Sequence, residues 1–196
     1  MYEVKEYRKA AQDIDPIFLK RWSPRSFLEK EVPEDLLQSV FEAARWAPSA
    51  ANVQPWRFVI ARSQEDKERF YSFINDSNVA WCSKAPVLIA VVSKTDADFM
   101  GGPNPSHAFD TGAAWGFLAL EATRKGLATH AMGGFDKNKA KEVLSIPDNY
   151  EVHAIVAIGY QGDKESLQDK LREREVPSNR NETEMFISEG TFTEKI

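Results

Sequence analysis

Two arginines and a serine alternate along a short proline-containing segment near the N-terminus. The segment reads RWSPRSF, with Arg21, Ser23 and Arg25 at every second position and Pro24 between them. Alternate side chains of an extended backbone point to the same side, and proline favours extended conformations. Guanidinium groups hold phosphate bidentately. The segment therefore predicts a site for a phosphate and a second anionic or carbonyl group, although taken alone it also suits a solvated basic turn.

A second polar cluster lies between two prolines in the sequence APSAANVQPW, residues 47–56. It offers the hydroxyl of Ser49 and the primary amides of Asn52 and Gln54. Because amides both donate and accept hydrogen bonds, they suit the mixed edge of a heterocycle or a polyol chain. The alternative interpretation is an ordinary loop between a helix and a strand.

Other familiar catalytic and ligand-binding patterns are absent from the sequence. It has no glycine-rich phosphate loop, no HExxH, no GxSxG and no pair of cysteines for zinc. The three histidines are far apart in sequence, and His153, inside an apolar segment, is expected to be a packed, hydrogen-bonded residue. The single cysteine, Cys82, has only Lys84 as a basic neighbour and is expected to be an inert thiol.

The two polar clusters flank one amphipathic helix. Pro33 opens it, Pro48 ends it, and its apolar stripe is expected to include Leu36, Val40 and Ala44. A helix of about 14 residues is ~20 Å long. The two clusters of one chain therefore lie far apart unless another subunit supplies one of them.

Helices and buried strands alternate along the rest of the chain, which is typical of an α/β or α+β layered domain. The apolar run 85–92 predicts a central strand buried on both faces. The helix at 106–125 is rich in small residues and is a candidate interface helix, with Gly126 as its stop. Further strands are predicted at 56–61, 130–135 and 151–160, and further helices from Asp15-Pro16 to near Trp22, at 64–74 and at 137–146.

Composition limits the classes of function. The chain has 196 residues, 42% of them apolar, and 25 basic against 30 acidic side chains give a net charge of −5. This suits one domain and gives no electrostatic reason to expect nucleic acid or an anionic membrane as a partner. No apolar stretch approaches the ~20 residues of a membrane span. A charged N-terminus and a single cysteine favour the cytoplasm.

The two ends of the chain differ from its centre. Residues 1–15 are expected to form a polar arm or helix. From Asp163 onward the sequence is highly charged and has no core-sized apolar block, so it is either an arm that wraps a partner or a loose tail. The apolar run 185–187 and Phe192 favour docking.

The pairing of RWSPRSF with EAARWAPSAANVQPWRF resembles the nitroreductase family of FMN-dependent oxidoreductases. The resemblance continues through APVLIAVV, the helix at 106–125, GLATHAMGGFD and the late Arg180, over residues 17–192. It implies an α+β, three-layer fold with a central mixed sheet flanked by helices, in an intertwined homodimer with two FMN molecules at the subunit interface. Residues 1–196 would form a single domain whose arms, 1–15 and 163–196, pack on the partner subunit.

The resemblance also implies roles for individual residues. Arg21, with Ser23 beside it, matches the position that meets the FMN phosphate. Arg25 matches a basic residue near the pyrimidine end of the ring, where positive charge stabilises reduced flavin, and Arg180 matches a late residue that closes on the phosphate. The full set of cofactor-binding positions so implied is Arg21, Trp22, Ser23, Arg25, Pro48, Ser49, Ala50, Asn52, Gln54, Met132, Gly133, Gly134 and Arg180.

The function implied is an NAD(P)H-dependent enzyme that reduces nitroaromatics, quinones or flavins by a ping-pong mechanism. Because the cofactor supplies the chemistry, the protein needs no metal, nucleophile or base of its own. The alternative is a module that binds or sequesters FMN, or senses it, without fast turnover. A specialised dehalogenase or ring-fragmenting enzyme is less favoured, because no insertion for a dedicated lid is present. The sequence does not choose between NADH and NADPH.

Overall fold

A four-stranded antiparallel sheet forms the centre of the structure, a computed structural model that describes residues 4–97 and 101–194. Its strands run in the order β1-β2-β6-β5, and a separate two-stranded hairpin pairs β3 with β4. β2 is buried along nearly its whole length and pairs with both β1 and β6, which confirms the predicted central strand. The strands are β1 (Trp56–Ala61), β2 (Val87–Lys94), β3 (Asp96–Ala97), β4 (Gly102–Pro103), β5 (Ala128–Met132) and β6 (Tyr150–Gly159).

Helices cover both faces of the four-stranded sheet and produce three layers. The helices of the described residues are α1 (Ile17–Lys20), α2 (Glu34–Arg45), α3 (Gln64–Tyr71), α4 (Asp76–Cys82), α5 (His107–Arg124), α6 (Lys137–Val143) and α7 (Asp169–Arg172). On one face, α2 and α5 form a core with side chains of β2 and β6. On the other face, α3, α4 and α6 pack against the alternate side chains. The predicted three-layer α+β fold is therefore confirmed.

The strand directions differ from the expected mixed sheet. Each pairing in the described four-stranded sheet is antiparallel. Helical connections are typical of parallel strands, but they produce parallel strands only when the chain crosses to the end of the sheet opposite the one it left. Here the connections between β1 and β2 and between β5 and β6 return to the same end of the sheet, so helices in the sequence did not reveal the strand directions.

The boundaries of the first helices follow their proline signals. The Asp15 carboxylate accepts a hydrogen bond from the Ile17 amide at 2.8 Å, so Asp15 caps α1 as expected. The helix ends at Lys20 rather than near Trp22, because the chain is already extended at Arg21. In α2 the buried stripe consists of Leu37, Val40 and Ala44, and Leu36, predicted in that stripe, is only partly buried.

The predicted helix at 64–74 ends early and is followed by a second helix. α3 stops at Tyr71, and α4 was not predicted because seven residues are too few for a clear helical period. α4 carries two buried side chains, Trp81 and Cys82. Burial raises the pKa of the Cys82 thiol to about 12, which agrees with the prediction of an inert thiol.

The two terminal segments lie against the rest of the chain at a few points only. Residues 1–3 fall outside the described part of the expected arm, and Val4–Glu6 forms one 3₁₀ turn. Between residues 163 and 194, Leu167, Glu175 and Pro177 are buried, whereas Phe192 is 89% exposed. Among the helices described, none combines the length and the apolar character that crossing a membrane requires.

Candidate functional site

Residues 21–26, here called the arginine strip, alternate in burial as the sequence predicts. Arg21, Ser23 and Arg25 are partly exposed, and the residues between and after them are buried. An Nη1 of Arg21 lies 3.4 Å from the Ser23 hydroxyl, so these side chains share one side of the backbone. The indole of Trp22 is buried on the other side. The strip therefore presents two guanidinium groups and a hydroxyl on one edge.

A fully buried carboxylate holds the C-terminal half of the strip. Glu175 is 0% exposed, and its oxygens accept hydrogen bonds from the Arg25 amide at 2.8 and 3.0 Å. The same carboxylate accepts from the amide and the hydroxyl of Ser26, at 2.8 and 2.9 Å. Backbone donors in the interior need such partners. Glu175 thus fixes the backbone from which the Arg25 side chain projects.

A neutral histidine holds the middle of the strip. Nδ1 of His130 donates to the Pro24 carbonyl at 2.9 Å, and the imidazole lies against Trp81 with ring centroids 4.5 Å apart. Burial lowers the pKa of His130 to about 4, and nearby Arg25 and Arg21 favour the neutral form further. The ring is therefore uncharged near neutral pH and adds no positive charge to the strip.

Arg8 ties three segments of the chain to the start of the strip. Its guanidinium donates to the carbonyls of Leu19, Arg21 and Ser178, at 2.8, 2.7 and 2.7 Å. These hydrogen bonds join the N-terminal arm, the end of α1 and the C-terminal segment. They also bring the backbone that precedes Arg180 to the arginine strip.

Neighbouring guanidinium groups disfavour the charged forms of Arg8 and Arg21 at this end of the strip. Burial, followed by the charge of Arg180, lowers the pKa of Arg21. Burial, then Arg180 and then Arg21, lowers the pKa of Arg8. In residues 4–97 and 101–194, none of these three arginines pairs with a carboxylate within 4.0 Å. An anion bound here would relieve this repulsion.

The loop after α2 has an unusual backbone. Ala51, Asn52 and Gln54 have φ values of 48°, 57° and 52°, in the left-handed region that residues other than glycine rarely adopt. Such strain costs on the order of 1–3 kcal/mol per residue and concentrates at functional sites. The exposed side-chain amide of Gln54 donates to the backbone carbonyl of Asn52 at 3.1 Å and to its side-chain oxygen at 3.0 Å. The loop therefore presents two linked amides at the surface.

Asp110 positions this loop from the first turn of α5. The residue is buried, and one carboxylate oxygen accepts a hydrogen bond from the Ala50 amide at 3.1 Å. The Ser49 hydroxyl accepts a hydrogen bond from the backbone N–H of Gln54 at 3.1 Å, which closes the turn. The hydrogen bonds of the loop thus lead to α5, whereas those of the arginine strip lead to His130, Glu175 and Arg8.

The glycine pair after β5 has two different surroundings. A Cβ at Gly134 would lie 2.7 Å from the side-chain amide nitrogen of Asn78 and 3.2 Å from that of Asn75, so a larger residue here would displace these two side chains. A Cβ at Gly133 would meet nothing within 4 Å. The preceding Met132 is buried. Open space therefore lies in front of the backbone at Gly133, three residues beyond His130 and about 10 Å along the chain.

The chain matches the model of the nitroreductase family over residues 18–80 and 73–160, which together span most of its length. The chain belongs to the nitroreductase family. A protein of Stenotrophomonas maltophilia strain R551-3, provisionally named NADH dehydrogenase/NAD(P)H nitroreductase, is 30% identical over 179 residues, covering 82% of this chain and 91% of that protein.

Solved structures agree with the family assignment. A crystal structure described as an oxidoreductase containing FMN is 44% identical, with a TM-score of 0.92, and the match covers 96% of this chain and 97% of that one. A nitroreductase family protein of Clostridium difficile 630 is 25% identical, with a TM-score of 0.72, over 92% of this chain and 100% of that one. Membership of the nitroreductase family makes this chain an oxidoreductase.

Within this nitroreductase-family chain, the predicted site residues fall into two groups. The structure brings Arg21, Ser23 and Arg25 together, with Arg180 near Arg21. Through His130 it links them to the strand that leads to Met132, Gly133 and Gly134. The second group surrounds Asp110 and the loop after α2, and consists of Pro48, Ser49, Ala50, Asn52 and Gln54.

Sequence reasoning missed the four side chains that position these groups. Arg8, His130 and Glu175 hold the arginine strip, and Asp110 holds the loop. The only local signal is at Asp110, an acidic residue in the first turn of a mostly apolar helix. The other three are distant in sequence from their partners, and Glu175 is hidden within a run of charged residues.

Proposed function

We propose that the chain is an FMN-dependent enzyme that uses NAD(P)H to reduce small planar acceptors such as nitroaromatics, quinones or flavins by a ping-pong mechanism. The observation that carries this proposal is the group of three arginines at the start of the strip. Burial and the charge of Arg180 lower the pKa of both Arg8 and Arg21, and in the described residues none of the three arginines has a carboxylate partner. FMN ends in a phosphate dianion, which this group suits.

The remaining surroundings also fit FMN. The open space in front of Gly133 leaves room for a flat ring to approach the backbone. The Arg25 guanidinium provides a fixed positive charge on the same edge as Arg21. The linked amides of Asn52 and Gln54 provide the donors and acceptors that a ribityl chain and ring edge require.

When bound, FMN would supply the hydride and electron transfer between NAD(P)H and the acceptor. The residues of the chain would bind and orient it. Arg21 and Arg180 would hold the phosphate, and Arg25 would offset the negative charge that accumulates on reduction. Glu175 and His130 keep the strip in place from its buried side, so the positive edge needs little reorganisation when the cofactor binds.

We further propose a homodimer whose two FMN sites each combine the arginine strip of one chain with the loop of the other. Apolar side chains on α5 and at the end of α2 are exposed, with Phe109 82% and Trp46 68% exposed. Gly112 and Gly116 of α5 have open space in front of them, which would let another backbone approach. Obligate dimers bury more than about 2,000 Å², and the terminal segments would add to that area.

Subunit complementation tests this shared site. When Arg21→Ala and Asn52→Ala chains are co-expressed, one site of the mixed dimer carries both substitutions and the other carries neither. Mixed dimers should therefore recover about half of the wild-type activity per dimer, because a symmetric dimer has two equivalent sites. Differently tagged chains allow the mixed dimer to be purified and assayed. Activity no greater than the mean of the two mutant homodimers would contradict the shared site.

Arg25→Ala tests the electrostatic role of the strip. Oxidised flavin is neutral and reduced flavin tends to be anionic, so loss of this cation should weaken binding of the reduced form more than of the oxidised form. The midpoint potential of bound FMN should therefore fall. Potentiometric titration measures it, with Arg174→Ala, an exposed arginine nearby, as the control. An unchanged or higher potential in Arg25→Ala would count against this role.

Purification and an anaerobic acceptor screen test the function as a whole. The protein should purify yellow with about one FMN per chain, and NADH or NADPH should bleach it rapidly in the absence of oxygen. Nitroaromatics, quinones and free flavins should then restore the colour at rates that rank the acceptors. A stable yellow colour with both nicotinamides would favour the binding module, and failure to bind added FMN would reject the cofactor.

A further inference from the structure

A cluster of two histidines and a glutamate lies apart from the arginine strip. His107, Glu151 and His153 each offer a ligand atom, and these atoms all lie within 4.8 Å of one another. Nε2 of His107 is 4.0 Å from a carboxylate oxygen of Glu151. All three residues are partly buried. They come from the first residue of α5 and the beginning of β6, so the fold brings distant parts of the sequence together.

A β-bulge places His153 in this cluster. The pairing of β2 with β6 moves from Val91–Ala154 to Val92–Val152, which leaves His153 as the additional residue. Bulges re-aim a side chain relative to the regular alternation of a strand. The two imidazole rings consequently face one another with centroids 5.9 Å apart.

One buried hydroxyl contacts both imidazoles. Ser93 is 0% exposed, and its Oγ lies 2.7 Å from Nδ1 of His107 and 2.6 Å from Nε2 of His153. A hydroxyl oxygen has two lone pairs and can accept from two N–H groups at once. In that arrangement the unbonded nitrogen of each ring carries a lone pair. Histidines that ligate a metal are held in this way, with the second ring nitrogen donating to a neighbouring acceptor.

We propose that His107, His153 and Glu151 bind a zinc ion, with Ser93 orienting both imidazoles. Two imidazoles and one carboxylate form a ligand set that zinc accepts, with a solvent molecule in the fourth position. Bonds of about 2.0–2.1 Å require ligand atoms about 3.3 Å apart. The ligand atoms therefore need to approach one another by up to about 1.5 Å, and partly exposed side chains can do this.

The charges around the cluster are compatible with such a site. Glu151 directs Oε2 towards His107, at 4.0 Å, and Oε1 towards the ammonium group of Lys137, at 3.7 Å. One oxygen can therefore bind the metal while the other keeps its contact with Lys137. Without metal, one imidazole accepts a hydrogen bond from the Ser93 hydroxyl and carries its own proton on the far nitrogen, the one that does not face Ser93. Zinc binding at the far nitrogen moves that proton, through solvent, to the ring nitrogen that faces Ser93, so Ser93 then accepts from both rings and no net proton is released.

Titration with Co²⁺ tests the proposal, because Co²⁺ occupies zinc sites and absorbs visible light at longer wavelengths than flavin. The full chain, with whatever flavin it retains, is first stripped of metal with a chelator. We expect saturable binding of about one Co²⁺ per chain, full displacement by Zn²⁺, and a higher melting temperature with Zn²⁺. His107→Ala and His153→Gln should weaken binding at least tenfold, and Ser93→Ala about 10–100-fold.

Glu151→Gln keeps the test decisive if a histidine variant folds poorly, because Glu151 lies at the surface. It should weaken Co²⁺ binding at least tenfold relative to Glu142→Gln, a matched change of an exposed glutamate on α6, which should have no effect. Absence of saturable binding would overturn the proposal. Binding that persists unchanged in Glu151→Gln and His153→Gln would overturn it as well. None of these readouts depends on the activity proposed above.

Discussion

Glu175→Ala should lower the free energy of unfolding by about 3–5 kcal/mol. Glu175 is fully buried, and its carboxylate accepts from the amides of Arg25 and Ser26 and from the Ser26 hydroxyl. Alanine would leave the two amides without a partner in the interior, where each unsatisfied donor costs about 1–3 kcal/mol, whereas the Ser26 hydroxyl keeps the Gly162 carbonyl as its acceptor at 3.1 Å. Water entering the cavity would recover only part of that cost.

Urea unfolding at one fixed chain concentration, with FMN absent, measures this effect. Glu173→Ala is the matched control, because Glu173 is exposed two residues earlier and its loss should change stability by no more than about 0.5 kcal/mol. The free energy of unfolding of Glu175→Gln should lie between those of the two alanine variants. Its side-chain amide keeps one acceptor but turns a donor towards the strip. Equal stabilities of Glu175→Ala and Glu173→Ala would show that the carboxylate does not hold the strip.

Changing Glu175 should weaken the cofactor site as well as the stability of the fold. Glu175 fixes the backbone at Arg25, so a Glu175→Gln chain that still folds should bind FMN more weakly although residue 175 need not touch the cofactor. Preorganised charge is effective only where the backbone that carries it is held. The C-terminal segment is therefore part of the site's support, a role that its charged composition does not suggest.

The exposed edge of the arginine strip could be predicted from local patterns in the sequence. Alternation at Arg21, Ser23 and Arg25 depends only on an extended backbone, which Pro24 favours. The burial of Val40 and Ala44 in α2 depends only on the helical period. The buried strand β2 was equally predictable, because its apolar run has one interpretation in a layered domain.

Long-range partners could not be predicted in this way. Glu175 lies 150 residues from Arg25, and Arg8 lies 170 residues from Ser178. Nothing in either local sequence distinguishes a buried glutamate or arginine from the many exposed ones around it. His107 and His153 likewise give no joint signal in the sequence, because only the bulge in β6 and the common partner Ser93 bring them together.

Strand direction and short helices were missed for a related reason. The antiparallel pairing of β1 with β2 depends on where α3 and α4 return the chain, and this is a property of packing rather than of period. α4 is stabilised by Trp81, which packs against Phe27 and His130. These aromatic contacts stabilise α4, because a helix of seven residues with a weak helical pattern is not stable by itself.

Arg21→Ala should weaken FMN binding roughly 10–150-fold, which corresponds to about 1.5–3 kcal/mol for a charged hydrogen bond to phosphate. Burial and the charge of Arg180 already lower the pKa of Arg21, so its charged form is disfavoured in the absence of an anion. A bound phosphate favours the charged form of Arg21, because both guanidinium groups are then attracted to the same anion. The effect should therefore be large in the bound state and small in the apoprotein.

This asymmetry distinguishes a phosphate ligand from a structural arginine. Apoprotein carrying Arg21→Ala should melt within a few degrees of the wild-type apoprotein, since the change removes repulsion as well as packing. Its stabilisation by added FMN, and by inorganic phosphate alone, should be much smaller. Arg69→Ala is the control, because Arg69 is an exposed arginine that pairs with Glu65 on α3. Fluorescence titration of the apoprotein with FMN measures the dissociation constants.

The dependence on salt gives a second, independent check of the same role. Each phosphate contact that is lost should make FMN binding less sensitive to ionic strength, because screening acts on the charges that remain. The dissociation constant of Arg21→Ala should thus rise less steeply between low and high salt than that of the wild type or of Arg69→Ala. An unchanged dissociation constant, or a lower affinity with the same salt dependence, would place Arg21 outside the phosphate site and leave Arg180 as its principal cation.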